Sequence, residues 1–297
     1  MKRYSLYLIA VWATLAVSSC ETVIDAKLDE GPEQLSVDAI ITDQPGIQAI
    51  RLTRTAPYFA NRPAPIASGA VVTVTDNTGK TYAFTDPDND GTYTWQPAGK
   101  DTLGKIGRTY LLNIQYQGET YRSVSRMNRV PTVDSIIFRK EKVNPLPNAE
   151  EGYQAEFFAR DPAGAPDYAR IRFFRNGVLQ NNPNNITVTY DGAFNGSGNT
   201  DGLLFIRPIR QSVNPEKFYA ENDTVMVEIQ SITAEAFYFF LELRTQLTNG
   251  GLFATPPANV PTNILNANTN GPRATGFFIA SAVRSLTVRV NSETIRR

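Results

Sequence analysis

The sequence predicts a mostly β protein that carries one amphipathic helix. Apolar and polar residues alternate over many short segments, as they do in strands with one buried face. Gly, Asn and Asp interrupt these segments at intervals of roughly ten residues, which is typical of antiparallel connections. A helical period of apolar residues is clear in one place, from about Ala234 to Leu247. With 297 residues, of which 41% are hydrophobic, the chain is long enough for one large or two ordinary domains.

The first nineteen residues have the pattern of a secretory signal peptide. Two basic residues precede an apolar run from Leu6 to Val17, which is shorter than the roughly 20 residues that cross a bilayer. The sequence Val17-Ser18-Ser19-Cys20 resembles the lipobox of bacterial lipoproteins, in which the signal is cut before the Cys. In that class, acyl chains such as palmitate are added to the sulfur and to the new amino group.

Cys20 is the only cysteine of the chain, so it has no disulfide partner within this protein. Several acyl chains also anchor a protein far better than one does. We therefore expect residues 1–19 to be a signal peptide and Cys20 to be lipidated. The polar residues 20–33 are predicted to form a tether between the lipid and the first domain. An ordinary signal peptide followed by an incidental Cys is the alternative.

Residues 34–130 are predicted to form an immunoglobulin-like β-sandwich. Residues 72–75 lead into the turn sequence 76–79 and then into alternating residues at 82–84, which is the pattern of a hairpin. A second hairpin is predicted over residues 110–124. Apolar residues near the start of the domain alternate with polar ones in the same way, namely Leu35, Val37, Ala39, Ile41, Ile50 and Leu52.

Residues 131–297 are predicted to form a larger β-rich domain, in which polar loops rich in Pro, Gly and Asn separate the strands. Its candidate strands are 133–139, 153–160, 169–176, 186–190, 203–207, 225–232 and 286–290. The helix near 234–247 follows Thr233, a suitable N-cap. We expect its apolar face to cover a sheet rather than to bind a partner. That face contains Ala236, Phe237, Phe240, Leu241, Leu243 and Leu247.

The composition excludes several classes of function. The chain has 29 basic and 29 acidic residues, and this zero net charge removes the basic excess that binding to nucleic-acid phosphates needs. It has no His, so Ser-His-Asp and Cys-His catalysis and His-zinc sites cannot form. An enzyme would depend on carboxylates alone, and Asp161, Asp167, Asp191 and Asp201 lie in predicted loops where Asp also favours turns. We therefore expect a protein that is not an enzyme.

Residues 86–91 (DPDNDG) have two interpretations. Asp86, Asp88 and Asp90 before a Gly resemble the start of a calcium-binding loop. The twelfth position of that loop is Pro97, where such loops use a bidentate Glu. A connection between two strands would need the same Asp, Asn and Gly residues. We favour the connection, and calcium is the one cofactor that this segment leaves open.

Aromatic residues form a second candidate site. Tyr58 and Phe59, together with Trp95, could make a platform for a sugar or a peptide. Aromatic residues in β-domains are usually part of the core instead.

Arginines form a third candidate site. Arg170 and Arg172 alternate with Ile171 and Phe173 on one predicted strand, so the two pairs should lie on opposite faces. With Arg175, Arg207 and Arg210 they could recognise carboxylate or phosphate groups. A solvated face of the sheet is the interpretation that we favour.

The order of short segments along the chain resembles a family of exported lipoproteins catalogued as domain of unknown function 4249 (DUF4249), of the Bacteroidota kind. Each segment is strand and turn sequence of low specificity, and the resemblance extends over nearly the whole chain after the signal peptide. The resembling segments are 24–25, 51–59, 68–76, 90–93, 107–112, 130–136, 262–264 and 276–278.

The resemblance implies an outer-membrane lipoprotein that is lipid-anchored and exposed at the cell surface. It implies an accessory role in uptake or binding beside a TonB-dependent receptor, and it supplies no catalytic residues. We therefore expect a non-catalytic binding or accessory module that does not bind nucleic acid. A structural or adhesive envelope protein is the main alternative, and a glycan hydrolase that uses two carboxylates is the other.

Overall fold

The computed structural model describes residues 31–57, 60, 62–99, 101–144, 149–194, 199–250, 254–256 and 258–296.

Alternating apolar residues bury one face of each N-terminal strand. In the first strand, for example, Leu35, Val37, Ala39 and Ile41 are buried while their neighbours are not. The strands of this region are β1 (Leu35–Thr42), β2 (Gln48–Arg54), β3 (Val71–Asp76), β4 (Thr81–Phe84), β5 (Thr92–Trp95), β6 (Thr109–Tyr116) and β7 (Glu119–Arg126).

The second half of the chain is also mostly strand, which confirms the predicted fold class. Two α-helices are described, α1 (Arg207–Arg210) and α2 (Ala234–Thr248), with a 3₁₀ turn at Pro183–Asn185. The strands are β8 (Val133–Lys142), β9 (Glu151–Ala159), β10 (Tyr168–Arg175), β11 (Val178–Leu179), β12 (Thr187–Tyr190), β13 (Thr224–Ile232), β14 (Leu265–Asn266), β15 (Ala274–Ser281), β16 (Val283–Arg289) and β17 (Ile295–Arg296).

Four sheets organise these strands. Sheet I has the order β15-β1-β2-β5 and sheet II the order β14-β7-β6-β3-β4. Sheet III has the order β17-β8-β9, and sheet IV the order β11-β10-β13-β16 with β12 also paired to β10. Buried residues of sheets I and II share one hydrophobic core, and those of sheets III and IV share another. The shared core of sheets I and II suits the predicted β-sandwich. The immunoglobulin-like topology of that sandwich stays a prediction.

The C-terminal part of the chain returns to the N-terminal sheets. Strand β15 runs parallel to β1, with Val37 opposite Gly276 and Ile41 opposite Ala280. Strand β14 pairs with β7 of sheet II. The sequence patterns predicted neither β14 nor β15 as a strand, and we expected residues 131–297 to form a second domain. The hydrogen-bonded sheets place both strands with the first region. Residues Glu33–Arg297 accordingly form one compact unit.

Helix α2 fills the seam between sheets I and IV. The side chain of Thr233 accepts a hydrogen bond from the backbone N–H of Ala236, so the predicted N-cap is confirmed. Ala236, Phe237 and Phe240 are buried in a third cluster. That cluster includes residues of both sheets, namely Ile40, Phe277, Ile279, Val188, Ile232, Tyr168 and Tyr190.

The apolar face of α2 is shorter than we predicted. Leu241 is 38% and Leu247 54% exposed, because the C-terminal turns of the helix extend past the seam. Neither helix of the described residues is long and apolar enough to cross a membrane.

The predicted strand at 203–207 is wrong. Leu204 makes only an isolated bridge with Arg160, and the chain then enters helix α1 at Arg207. Pro208 explains the difference, since it lacks the N–H that a sheet needs and is favoured in the first turn of a helix.

Gly276 allows the parallel pairing of β1 and β15. Its φ is +89°, a left-handed conformation that residues with a Cβ rarely adopt. A Cβ at this position would overlap the backbone oxygen of Val37. The close approach of the two strands therefore requires glycine.

We predict that Gly276→Ala lowers the free energy of unfolding by about 3 kcal/mol, because it combines backbone strain with a clash in a sheet. Gly250→Ala is the matched control, since a Cβ at that position would meet nothing within 4 Å and the φ of Gly250 is not in the left-handed region. The control should stay within about 0.5 kcal/mol of the wild type in urea denaturation. Equal stability of the two variants would contradict the role of Gly276.

Candidate functional site

The predicted lipid and aromatic sites lie mostly outside the described residues. Cys20, Tyr58 and Phe59 are among the residues that the structure does not describe. Trp95 is described and is partly buried against the first core, with its ring edge-to-face to Tyr82 at 5.3 Å. The aromatic-platform hypothesis stays a prediction. Of its three residues, Trp95 packs against the ring of Tyr82 within the protein.

The three aspartates of the 86–91 segment do come together. Their ligand atoms lie within 4.8 Å of one another, with Asp88 and Asp90 exposed. The two carboxylate oxygens of Asp86 accept hydrogen bonds from the backbone N–H groups of Asp90 and Gly91, each at 3.1 Å. Asp90 accepts another from Thr92 at 2.7 Å. These bonds satisfy a tight turn, and they leave lone pairs on every carboxylate that a cation could use.

The arginines do not form a common site. Arg170 and Arg172 lie on the face of β10 opposite Ile171 and Phe173, as predicted. Arg207 and Arg210 lie instead on α1, which packs against β9 of sheet III. The five arginines are therefore divided between a strand of sheet IV and a helix that packs on sheet III.

The arginines of this region have individual contacts. Arg172 donates to Glu228 at 3.1 Å, and Arg210 pairs with Glu156 at 3.1 Å. The guanidinium of Arg170 stacks over the ring of Phe240 at 4.3 Å. Burial, with the neighbouring charge of Arg172, lowers the pKa of Arg170 to about 10.

The four loop aspartates form a network that the sequence did not reveal. Arg129 donates to both carboxylate oxygens of Asp167 and to the carbonyl oxygens of Pro162, Ala163 and Ala165. The backbone N–H of Asp167 donates to Asp191 at 2.7 Å. Arg129 thereby holds the 162–167 loop, and its position before β8 gave no sequence signal for this role.

Asp161 is the most unusual acid of this network. It is 2% exposed, and its carboxylate accepts a hydrogen bond from the backbone N–H of Gly202 at 3.2 Å. Burial raises the pKa of Asp161 to about 7, and the negative charges of Asp167, Asp191 and Asp201 act in the same direction. This acid is packed between loops and does not line either of the clefts described below.

An open cleft of about 530 Å³ lies where the β8–β9 hairpin meets the end of β10. We call it the Lys217 cleft. Its floor includes Tyr153 and Tyr219, whose backbones exchange two hydrogen bonds of 2.9 and 3.0 Å. Gly152 allows this approach, since a Cβ there would overlap the side chain of Phe218. The cleft therefore combines aromatic rings with backbone that neighbouring strands hold in place.

Some charges of the Lys217 cleft are used within the protein. Glu151 pairs with Lys140 and Lys142, whose hydrogen bonds lower its pKa to about 2. Arg175 pairs with Asp223 and stacks over Tyr219 at 5.4 Å.

Other charges of the cleft face solvent. Lys217 and Glu221 are exposed, and neither side chain makes an ion pair with another described residue. The cleft therefore offers free charges of both signs beside aromatic surface, which suits binding of a polar ligand.

A family model described as a domain of unknown function (DUF4249) matches residues 21–287. The chain belongs to the DUF4249 family. The predicted membership of the DUF4249 family is thus confirmed, and the match to this family begins at the residue after Cys20. No curated protein matches the chain.

The turn interpretation of residues 86–91 predicts unequal roles for the aspartates. Asp86→Ala should lower the free energy of unfolding by about 1 kcal/mol because two backbone N–H groups lose their acceptor. Asp88→Ala should change stability by less than about 0.5 kcal/mol, since its carboxylate accepts no hydrogen bond from a described residue. Millimolar calcium should leave the wild-type melting temperature unchanged. If calcium instead raised the melting temperature of the wild type but not that of Asp88→Ala, residues 86–91 would be a calcium-binding loop.

The raised pKa of Asp161 predicts a pH-dependent stability. Between its ordinary value of 3.8 and about 7, the folded protein holds a proton that the unfolded chain has lost, so stability falls as pH rises. Asp161→Asn keeps the shape and the acceptor oxygen without the charge. We expect this variant to melt several degrees above the wild type at pH 8, with a smaller difference at pH 5.

The matched control is Glu221→Gln, an exposed acid, which should keep the wild-type pH dependence. If Asp161→Asn followed the wild-type melting curve at both pH values, the buried acid would not be the source of the dependence.

Proposed function

We propose that the protein is an exported lipoprotein, anchored in the outer membrane through Cys20 and exposed at the cell surface. In this proposal it acts without catalysis, as a binding or accessory module beside a TonB-dependent receptor in uptake. The signal-like residues 1–19, the lipobox sequence and the family match that begins at residue 21 support the anchor. Strand β1 begins at Leu35, directly after the polar tether.

The observation that carries the binding role is the Lys217 cleft. Its volume of about 530 Å³ falls within the range of ligand sites in proteins. Tyr153 and Phe218 provide apolar surface, while Lys217 and Glu221 provide charges that no described ion pair occupies. A surface of this kind can hold a polar ligand or a loop of a partner protein.

The acid–base properties of the cleft favour binding over hydrolysis. A glycosidase needs one carboxyl group with a raised pKa as acid, opposite a second carboxylate. Glu151 in the cleft has a lowered pKa, and the acids with raised pKa, Asp161 and Asp167, lie elsewhere. A glycan hydrolase is therefore the weaker alternative. A structural or adhesive role remains the competing proposal, and it predicts no dependence on the cleft.

We predict that Cys20→Ser moves the protein from the outer-membrane fraction to the soluble fraction, because the thiol that carries the lipid is lost. Fractionation of cells followed by immunoblotting measures this change, and mass spectrometry of the wild-type N-terminal peptide detects the acyl chains. A Cys20→Ser protein that still sediments with the outer membrane would contradict the anchor.

Crosslinking in intact envelopes tests the accessory role. The tagged wild type should recover a β-barrel receptor, and Lys217→Glu should reduce that recovery. Arg289→Glu, an equal charge reversal at an exposed position of β16, is the matched control. Recovery that falls equally in both variants, or no barrel at all, would count against the proposed partner.

A further inference from the structure

A second cleft lies at the end of sheet II, remote in sequence from the Lys217 cleft. It has a volume of about 280 Å³ and opens between the β3–β4 turn and the loop that precedes β6. Lys80 lines it from the turn, and Lys105 and Arg108 line it from the loop. The rest of the lining consists of Thr78, Tyr82, Asp101 and Thr102. We call it the Lys105 cleft.

The loop that carries Lys105 is held by the fold. The backbone N–H of Lys105 donates to the hydroxyl of Tyr110 at 2.7 Å, and that hydroxyl donates to Leu103. Gly104 donates to the backbone oxygen of Thr42, and a Cβ at Gly104 would overlap that oxygen. The cations of the loop therefore start from a defined backbone, which reduces the entropy that a ligand would have to remove.

Buried Asp76 positions Arg108 at the rim of the cleft. Its carboxylate is fully buried and accepts hydrogen bonds from Thr78, from the backbone of Lys80 and from one terminal nitrogen of Arg108. Burial alone would raise the pKa of Asp76, but these hydrogen bonds and the charge of Arg108 hold it below its ordinary value. Asp76 thus stays ionised and fixes the guanidinium by one edge.

Donors remain free in the cleft. The other terminal nitrogen of Arg108 and the ammonium of Lys105 have no acceptor among the described residues. The ammonium of Lys80 lies 3.9 Å from the carboxylate of Asp101, which is 67% exposed, so this pair is weak. Three cations face one exposed carboxylate and the buried Asp76, although the chain as a whole has no net charge.

We propose that the Lys105 cleft binds a phosphate group, either as free inorganic phosphate or as the end of a phosphate monoester. The volume is too small for a large ligand and suits one such group. Donors reach it from two directions, the β3–β4 turn and the loop before β6, as a tetrahedral oxyanion requires. A phosphate group also presents more acceptor oxygens to the donors of Lys80, Lys105 and Arg108 than a carboxylate does.

Calorimetric titration of the purified protein with sodium phosphate tests this proposal, at fixed ionic strength and pH 7.5. We expect saturable binding with a Kd of about 1 mM or tighter. The variant Lys80→Ala/Lys105→Ala should bind at least tenfold more weakly. Both lysines are exposed, so the variant should keep its fold, which its melting temperature verifies. Arg289→Ala removes an exposed cation of β16 outside both clefts, and it should bind phosphate like the wild type.

Two further ligands identify the source and the geometry. Glycerol 3-phosphate should bind at least as tightly as phosphate if the natural ligand is a monoester, and more weakly if it is the free ion. Acetate should bind at least tenfold more weakly than phosphate. The proposal is overturned by absence of saturable phosphate binding, by equal affinity for acetate, or by an equal loss of affinity in Arg289→Ala. It rests on neither the lipid anchor nor the receptor, so its failure would leave them standing.

Discussion

The parallel pairing of β1 with β15 is the constraint on which the rest of the structure depends. It adds residues 274–281 to the first sheet, and Gly276 makes the contact sterically possible. The side chains of Ser125 and Asn263 then accept hydrogen bonds from backbone N–H groups of β15, at Ala280 and Phe278, on the edge that faces away from β1. Because β16 follows at once and pairs with β13, the same turn of chain joins sheet I to sheet IV.

Most of the fold could be predicted from alternation and turn residues, but these patterns did not predict strand β15. Its residues Phe277 and Ile279 face the helix seam while Phe278 and Ala280 face the first core, so the strand is buried on both sides. Such a strand has no apolar–polar alternation to detect. Its partner is also distant in sequence, and short-range patterns carry no information about that pairing.

The candidate sites were harder to predict because they depend on residues that meet only in the folded chain. The turn at Asp76 was visible as hairpin sequence, but its bond to Arg108 joins residues 32 positions apart. The aspartates at 161, 167, 191 and 201 were visible as loop residues, whereas the raised pKa of Asp161 arises from its own burial and from the charges of the other three. The Lys217 cleft joins residues of β8, β9 and β10 to residues 217–221, a segment whose sequence has neither strand nor helix periodicity.

The late position of β15 also affects how the protein can be made. A chain that emerges from the ribosome N-terminus first has β1 and β2 long before residue 274 exists, so one edge of the growing sheet stays open. Contacts of such long range form slowly, and open strand edges invite aggregation. Folding of the N-terminal region is therefore completed only after synthesis of nearly the whole polypeptide. A chaperone that shields β1 until then would protect the nascent chain from aggregation.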